Sequence, residues 1–87
     1  MLYAKTISAA DALNPGGTTK QTVIERIAIA SSAAGDLTVT DGQKTLKYHV
    51  AEGFNGEICI GVPWLPGAVL TLTPSVEMTV IMELTQK

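Results

Sequence analysis

Apolar residues recur at every second position from Thr18 to the end of the chain, which is the period of a β-strand. The clearest case is the closing segment SVEMTVIMELTQK, whose apolar stripe consists of Val76, Met78, Val80, Met82 and Leu84. The opposite face of that segment carries Glu77, Thr79, Ile81 and Glu83. A five-membered stripe predicts a strand with one face against a core.

The segment DLTVTDGQKTLKYHV predicts a β-hairpin around Asp41-Gly42. Leu37 and Val39 alternate with threonines before the turn, and the apolar positions after it are Leu46, Tyr48 and Val50. Asp-Gly between two alternating runs is a strong hairpin signal, because a tight turn needs positive φ, which these residues tolerate.

Further strands are predicted at YAKTIS, at VIERIAIASS with Ile27 and Ile29 inward, at EICIGV with Ile58, Ile60 and Val62 on one face, and at AVLTLTP. The chain then has about seven short strands at intervals of roughly ten residues. We expect an all-β fold: a small antiparallel β-sandwich, jelly-roll-like domain or barrel.

Helix signals are weak, because the window SAADALN is stopped by Asn14, Pro15 and two glycines. It predicts a short helical turn or an extended arm. We therefore expect residues 1–19 to form an N-terminal arm with the first strand, and residues 20–87 to form the sandwich of a single domain.

Composition adds the expectation of a partner. The chain of 87 residues is 46% hydrophobic and only 16% charged, and a small lone domain needs a more charged exterior to stay dispersed. Ile24, Val69 and Ile81 fall on nominally outward faces, which suggests burial on both sides of a sheet. An obligate oligomer would supply the second cover.

Charge and hydropathy exclude two classes of partner. The net charge is -2 and there is no basic cluster, so nucleic acid is not expected. The residues after Met1 contain no apolar run of signal-peptide length, and no segment approaches the ~20 apolar residues that span a bilayer. We expect a protein made in the cytoplasm, with no membrane partner.

Residues that carry chemistry are few. Cys59 is the only cysteine and His49 the only histidine, so no metal site, cofactor or catalytic residue is predicted. His49 reads as an outward-facing strand residue, and a catalytic triad would need a serine or cysteine brought to it by folding. We expect a protein that is not an enzyme.

Trp64, the only tryptophan, lies between Pro63 and Pro66 in the stretch GVPWLPGAVLTLTPS. The prolines interrupt the ladder because neither donates a backbone hydrogen bond. A tryptophan held at a sheet rim is a lid over the core, a subunit contact or a platform for a ligand. The sequence leaves these alternatives open.

As a whole, residues 20 to 85 resemble the small β-sandwich virion proteins of tailed bacteriophages, the decoration and fibre-type modules. The resemblance follows the order of VIERIAIASS, the turn AAG, the hairpin LTVTDGQKTLKYHV, the loop EGFNGE, then PWLPGAVLTLT and SVEMTVIMELT. It implies no catalysis. It implies self-association, often as trimers, and attachment to a major capsid protein or another virion component.

The first functional hypothesis is therefore a capsid decoration, or cement, protein that self-associates and stabilises the shell in the virion. The candidate interface residues are Tyr3, Leu13 and Pro15 in the arm, with Trp64 and Leu65 at the rim. The alternative is a tail or fibre recognition module that binds a host-surface glycan or receptor through Trp64, Tyr48 or Phe54.

Overall fold

The computed structural model of the chain describes residues 2–14, 19–65 and 67–86, with the backbone alone at 59–62. These residues form eight strands: β1 (Leu2–Ile7), β2 (Asp11–Leu13), β3 (Thr22–Ala30), β4 (Gly35–Thr40), β5 (Thr45–Val50), β6 (Asn55–Pro63), β7 (Leu70–Pro74) and β8 (Met78–Gln86). No helix occurs within them. The prediction of an all-β fold is confirmed.

The strands form two antiparallel sheets of four, in the orders β1-β8-β3-β6 and β2-β7-β4-β5. We call them the first and the second sheet. This order interleaves the two halves of the chain, so that β1 pairs with β8 and β2 with β7. It is the arrangement of a jelly roll, in which two Greek keys wrap around one core.

The alternating stripe of β8 lies at the centre of that core. Met78, Val80, Met82 and Leu84 are all buried, as predicted, whereas Val76, the fifth residue of the predicted stripe, precedes β8 and is half-buried against the core. The strand pairs with β1 on one side and β3 on the other. The second sheet closes the core with Leu37, Val39, Leu70 and Leu72. Burial of this apolar surface is the main stabilising term of the fold.

The predicted hairpin is β4 and β5, which pair from Gly35 with Val50 to Thr40 with Thr45. Its turn contains Gly42 at φ 97, a backbone conformation that glycine adopts without a steric penalty. The turn closes where Asp41 N–H donates to the Lys44 carbonyl at 3.2 Å.

Ile24 is a correction to the sequence analysis. We expected this side chain on the outward face of its strand, but it is buried. The pairing of β3 with β6 and with β8 shifts register between Ile24 and Arg26. An irregularity of this kind breaks the two-residue alternation, so Ile24 and Ile27 both point inward. Val69 and Ile81 do lie exposed.

The N-terminal segment enters both sheets. Leu2–Ile7 forms β1, and Asp11–Leu13 forms β2 within the window where we expected a helical turn or an arm. Leu13 pairs with Leu70 on β7. The described residues before 15 are therefore part of the sandwich, and the strand count is eight rather than about seven.

Candidate functional site

The turn of the β4–β5 hairpin is tied to the segment that follows β6. The Asp41 carboxylate accepts hydrogen bonds from the backbone N–H of Gln43 at 2.9 Å and of Lys44 at 2.7 Å. Its second oxygen accepts from the N–H of Leu65 at 3.1 Å. Partial burial raises the pKa of Asp41, but these N–H donors outweigh it and hold the pKa below its ordinary value.

Lys44 adds a second link between the hairpin turn and the segment that begins at Pro63. Its Nζ donates to the carbonyl of Pro63 at 2.7 Å and lies 5.8 Å from the centre of the Trp64 ring. That geometry is a cation–π contact, which is attractive because the face of an indole carries negative charge. Lys44 therefore covers the tryptophan from the solvent side.

Trp64 is a lid over the core. The residue is only 1% exposed and packs within the main apolar cluster, and its backbone N–H donates to Thr22 at 2.9 Å. The indole Nε1 is buried without a hydrogen-bond partner among the described residues. A ring in this position cannot stack on a ligand, so the geometry favours the lid over the platform.

A shallow groove of about 360 Å³ lies above this lid. We call it the Trp64 groove, and its lining residues are Gln21, Asp41, Gln43, Lys44, Pro63, Trp64 and Leu65. Its polar groups are already engaged in part, since Asp41 and Lys44 bind the backbone. The two glutamine amides are the groups that could hydrogen-bond a small polar ligand.

A second candidate surface lies on the outer side of the first sheet. Ile81 pairs with Ala4 on one side and Ala28 on the other, and Ala28 pairs with Glu57. We call this surface the Ile81 face, formed by Leu2, Ala4, Ala28 and Ile81 with Arg26, Glu57 and Glu83. Leu2 is 66% exposed and Ile81 is 41% exposed. Because its neighbours on both sides are alanines, the Ile81 side chain borders a shallow hollow of about 150 Å³, which Leu2 and Ala28 also line.

Charged side chains border the apolar part of the Ile81 face. Arg26 Nε donates to Glu83 at 3.1 Å, and a second Arg26 nitrogen also binds that carboxylate. Another Arg26 nitrogen lies 3.7 Å from Glu57. Exposed ion pairs contribute little stability. An apolar centre with a polar border is, however, the usual anatomy of a protein–protein interface.

His49 is placed beside a carboxylate and in the same row as a serine. Its Nδ1 is 2.8 Å from Asp36 Oδ1, and the backbone N–H of Asp36 donates to Ser75 Oγ at 2.8 Å. Asp36 therefore lies between the other two, on β4. The imidazole binds the Asp36 side chain and the hydroxyl binds the Asp36 backbone, so each of the two is in contact with Asp36.

This row lacks the geometry of a catalytic triad, which requires histidine between the acid and the nucleophile. The His49 side chain is 74% exposed. The hydrogen bond from His49, and the positive charge of Lys47 at 3.7 Å, hold the pKa of Asp36 below its ordinary value against some desolvation. The row is accounted for as an ion pair of Asp36 with Lys47, to which His49 adds a solvent-exposed hydrogen bond.

Two absences can be stated for the part of the chain that the structure describes. No group of three histidine, cysteine, aspartate or glutamate side chains is arranged to hold a metal ion. No helix there has the length and apolar character needed to cross a membrane.

The candidate interface residues occupy different places. Tyr3 is 6% exposed and Trp64 is buried, Leu13 is half-buried and Leu65 is exposed. Pro15 lies outside the described residues. Tyr3 and Trp64 belong to opposite edges of the first sheet. Of the four described residues, Leu65 and part of Leu13 offer surface to a partner, and the interface role of the group stays a prediction.

The sequence predicts only part of the Ile81 face. Ile81 was recognised as an apolar residue on an outward face, but Leu2 and Ala4 were not connected with it. Only the pairing of β1 with β8 brings these three together.

Comparison with protein-family models and with curated proteins finds no match to this chain.

Proposed function

We propose that this chain is a non-enzymatic virion structural protein, a capsid decoration module that docks on the shell through its Ile81 face. The observation that carries the proposal is the exposed pair of Leu2 and Ile81 on an alanine-lined sheet surface. Burial of that surface against a capsid subunit would gain free energy without requiring an induced fit.

Fold and composition support the same proposal. The jelly roll is a frequent architecture of capsid and lectin domains, although a fold alone assigns no function. The low charged fraction of 16% suits a protein whose surface is largely covered by other proteins in an assembly. The resemblance to small phage β-sandwich modules supports the viral context.

The test uses particles of the phage that encodes this chain, prepared from a strain in which its gene is deleted. Purified chain added to these particles is expected to co-sediment with them in many copies and to raise the temperature at which they release DNA. Many modest contacts per particle would produce that effect. A major capsid gene is expected beside the gene for this chain.

Ile81→Lys is the variant that addresses the Ile81 face, because a lysine there places a charge in the apolar centre. It is expected to lower binding to the particles at least about tenfold. Thr73→Lys is the matched control, because Thr73 is an exposed strand residue on the outer side of the second sheet. Particles that bind neither the native chain nor the control would contradict the proposal.

The second candidate function is recognition of a host-surface glycan by a tail or fibre. The observation that favours it is the Trp64 groove with Gln21 and Gln43 at its wall. Amides of this kind bind sugar hydroxyls. Titration with sugars while the fluorescence of the single tryptophan is monitored would show a saturable change, which a Gln43→Ala variant would lose. An unchanged spectrum would exclude this candidate.

A further inference from the structure

Four strands form the edges of the sandwich: β1 and β6 in the first sheet, β2 and β5 in the second. An edge strand presents unpaired backbone N–H and C=O groups, which can accept a strand from another chain. Proteins that remain monomeric block such edges with proline, charges, bulges or very short strands. The four edges of this molecule differ in how they are blocked.

The edge of β6 is blocked twice. Trp64 N–H bonds to Thr22, so the neighbouring residue Pro63 turns its nitrogen away from β3, towards the open edge. Proline has no N–H to donate there. The register irregularity opposite Ile24 and Arg26 also disturbs the regular spacing that a new strand would need.

The edges of the second sheet are blocked by other means. The strand β2 has three residues, which is too short to anchor a partner strand. At the turn before β5, Asp41 and Lys44 form a hydrogen-bonded pair. Backbone groups of successive residues point alternately towards β4 and away from it, so those of Thr45, Lys47 and His49 point to the open edge. Lys47 and His49 both lie beside Asp36, which partly balances their charge, but their side chains remain 66% and 74% exposed at this edge and hinder the approach of an identical strand.

The edge of β1 has none of these devices. Ser31 N–H donates to the Phe54 carbonyl, on the β6 side of β3. Backbone groups along β3 point alternately to β6 and to β8, so Ile29 and Ile27 bond β6, and Ala28 bonds Ile81 on β8. Val80 and Met82 of β8 must then bond Lys5 and Tyr3 of β1. The backbone groups of Leu2, Ala4 and Thr6 consequently point to the open edge, and among the described residues β1 pairs with β8 alone.

Lys5 is the one charged residue of β1, and its side chain binds Asp11 of the same chain. Its Nζ lies 3.1 Å from the Asp11 carboxylate and 5.8 Å from the centre of the Tyr3 ring. The positive charge is thus balanced by β2 and does not extend across the edge. It does not block the strand in the way that an unpaired lysine would.

We propose that β1 pairs antiparallel with β1 of a second copy of this chain, about a two-fold axis at Ala4. In that register Ala4 faces Ala4 of the other copy, and Leu2 faces Thr6. Each of these residue pairs would exchange two backbone hydrogen bonds, made by the groups that are open in the single chain. A two-fold contact of this kind is self-complementary, so one edge supplies both halves of the interface.

The side chains of this pairing extend the apolar row of the Ile81 face. Ile81 and Ala4 of one copy continue directly into Ala4 and Ile81 of the other, and nothing larger than a methyl group stands at the axis. The two first sheets become one continuous sheet of eight strands. The doubled Ile81 face is wider than the face of either copy alone.

This inference rests on the proposed function, since it names the contact through which the decoration module associates with itself. It specifies a dimer as the first oligomer, whereas the resemblance to phage modules implies trimers. The two stoichiometries are separated by one measurement of mass in solution. The dimer also requires no capsid, so it can be tested on the purified chain.

The experiment is sedimentation equilibrium of the native chain, Ala4→Pro and Thr73→Lys over a range of micromolar concentrations. The native chain is expected to dimerise. Ala4→Pro removes an edge N–H that faces away from β8 and pairs with no other described strand, so it is expected to weaken dimerisation about tenfold or more while the monomer stays folded. Thr73→Lys is expected to dimerise like the native chain.

Hydrogen exchange of the native chain provides a second readout that needs no variant. In a monomer, the amides of Tyr3 and Lys5 exchange slowly because they bond β8, and those of Ala4 and Thr6 exchange fast. In the dimer all four are expected to exchange slowly. The protection of Ala4 and Thr6 should therefore rise with protein concentration.

A native chain that stays monomeric, forms trimers, or dimerises equally well with Ala4→Pro would overturn the inference. Fast exchange at Ala4 and Thr6 in a dimer would do the same. The proposed function is tested separately, by binding to particles. A monomer that binds particles rejects only the β1 pairing, and a dimer that does not bind them rejects only the decoration role.

Discussion

The phenol of Tyr3 donates a hydrogen bond of 2.7 Å to the carboxylate of Asp11, and so joins the edge strand of one sheet to the edge strand of the other. Lys5 binds the same carboxylate oxygen. These bonds hold the pKa of Asp11 below its ordinary value, the bond from Tyr3 having the larger effect. Burial, and then the neighbouring Asp11, raise the pKa of Tyr3.

The first prediction is a loss of stability in acid that depends on Asp11. A carboxyl whose pKa is lower in the folded state contributes stability above its unfolded pKa of about 3.9, and loses it as the pH falls through the folded value. The free energy of unfolding should therefore fall as the pH is lowered below about 4.

The variant Asp11→Asn isolates this contribution, because Asp36 and Asp41 also have lowered pKa values and remain in place. It is expected to be less stable than the native chain at neutral pH and to lose less stability on acidification. Urea unfolding at pH 6 and pH 3 measures both quantities. Equal slopes with pH for the two chains would show that Asp11 makes no such contribution.

The second prediction concerns Gly35, at the start of β4. A Cβ at this position would lie 2.6 Å from Val76 Cγ2 and 2.7 Å from Ser75 Oγ. Such distances force neighbouring groups to move, so Gly35→Ala should lower the free energy of unfolding by about 1–3 kcal/mol. Urea unfolding followed by circular dichroism measures the loss.

Gly56→Ala is the matched control for this prediction. Its Cβ would meet Phe54 Cζ at 2.9 Å, which is the far end of a half-buried side chain. A small change in the Phe54 χ1 angle moves Cζ away, at less cost than a shift of the short Val76 and Ser75 side chains at Gly35. A loss of stability in Gly56→Ala equal to that of Gly35→Ala would contradict the steric explanation.

The third prediction concerns Trp64 as a lid. The emission of this single tryptophan should be blue-shifted and poorly quenched by iodide in the folded chain, and should shift to the red on unfolding. Trp64→Ala should cost about 3–5 kcal/mol, enough to threaten the fold of a small domain. Trp64→Phe should cost less, because it keeps a ring and removes a buried N–H that has no partner among the described residues.

The fourth prediction is that Asp41 fastens the hairpin turn to the segment after β6. Asp41→Ala removes the acceptor of three backbone N–H groups and should lower the free energy of unfolding by about 1–2 kcal/mol. Asp41→Asn keeps one oxygen acceptor and should cost less. Faster hydrogen exchange at Leu65 in both variants would confirm that the contact across the two segments is lost.

Strands with regular alternation could be predicted from the sequence. The β4–β5 hairpin and the stripe of β8 are present as predicted, because each combines a long period-two pattern with a clear turn or end. The short β2 could not be found, because three residues carry no period and its pairing with β7 joins residues as far apart in sequence as Asp11 and Leu72. Non-local pairing of this kind leaves no local signal.

The candidate surfaces show the same division. Trp64 could be identified as a rim residue from its prolines, but only its burial distinguishes a lid from a platform. Ile24 was assigned to the wrong face, because an irregularity in pairing cannot be read from alternation alone. Leu2 and Ile81 are distant in sequence and close only because β1 pairs with β8.

Pro63 has one more consequence if copies join through β1. Each pair uses up both open edges, and the ends of the resulting eight-stranded sheet are then the two β6 strands, each with a proline where a donor would be needed. Growth stops at two copies. The proline that blocks one edge of a single chain would thereby prevent the dimers from growing into a fibre.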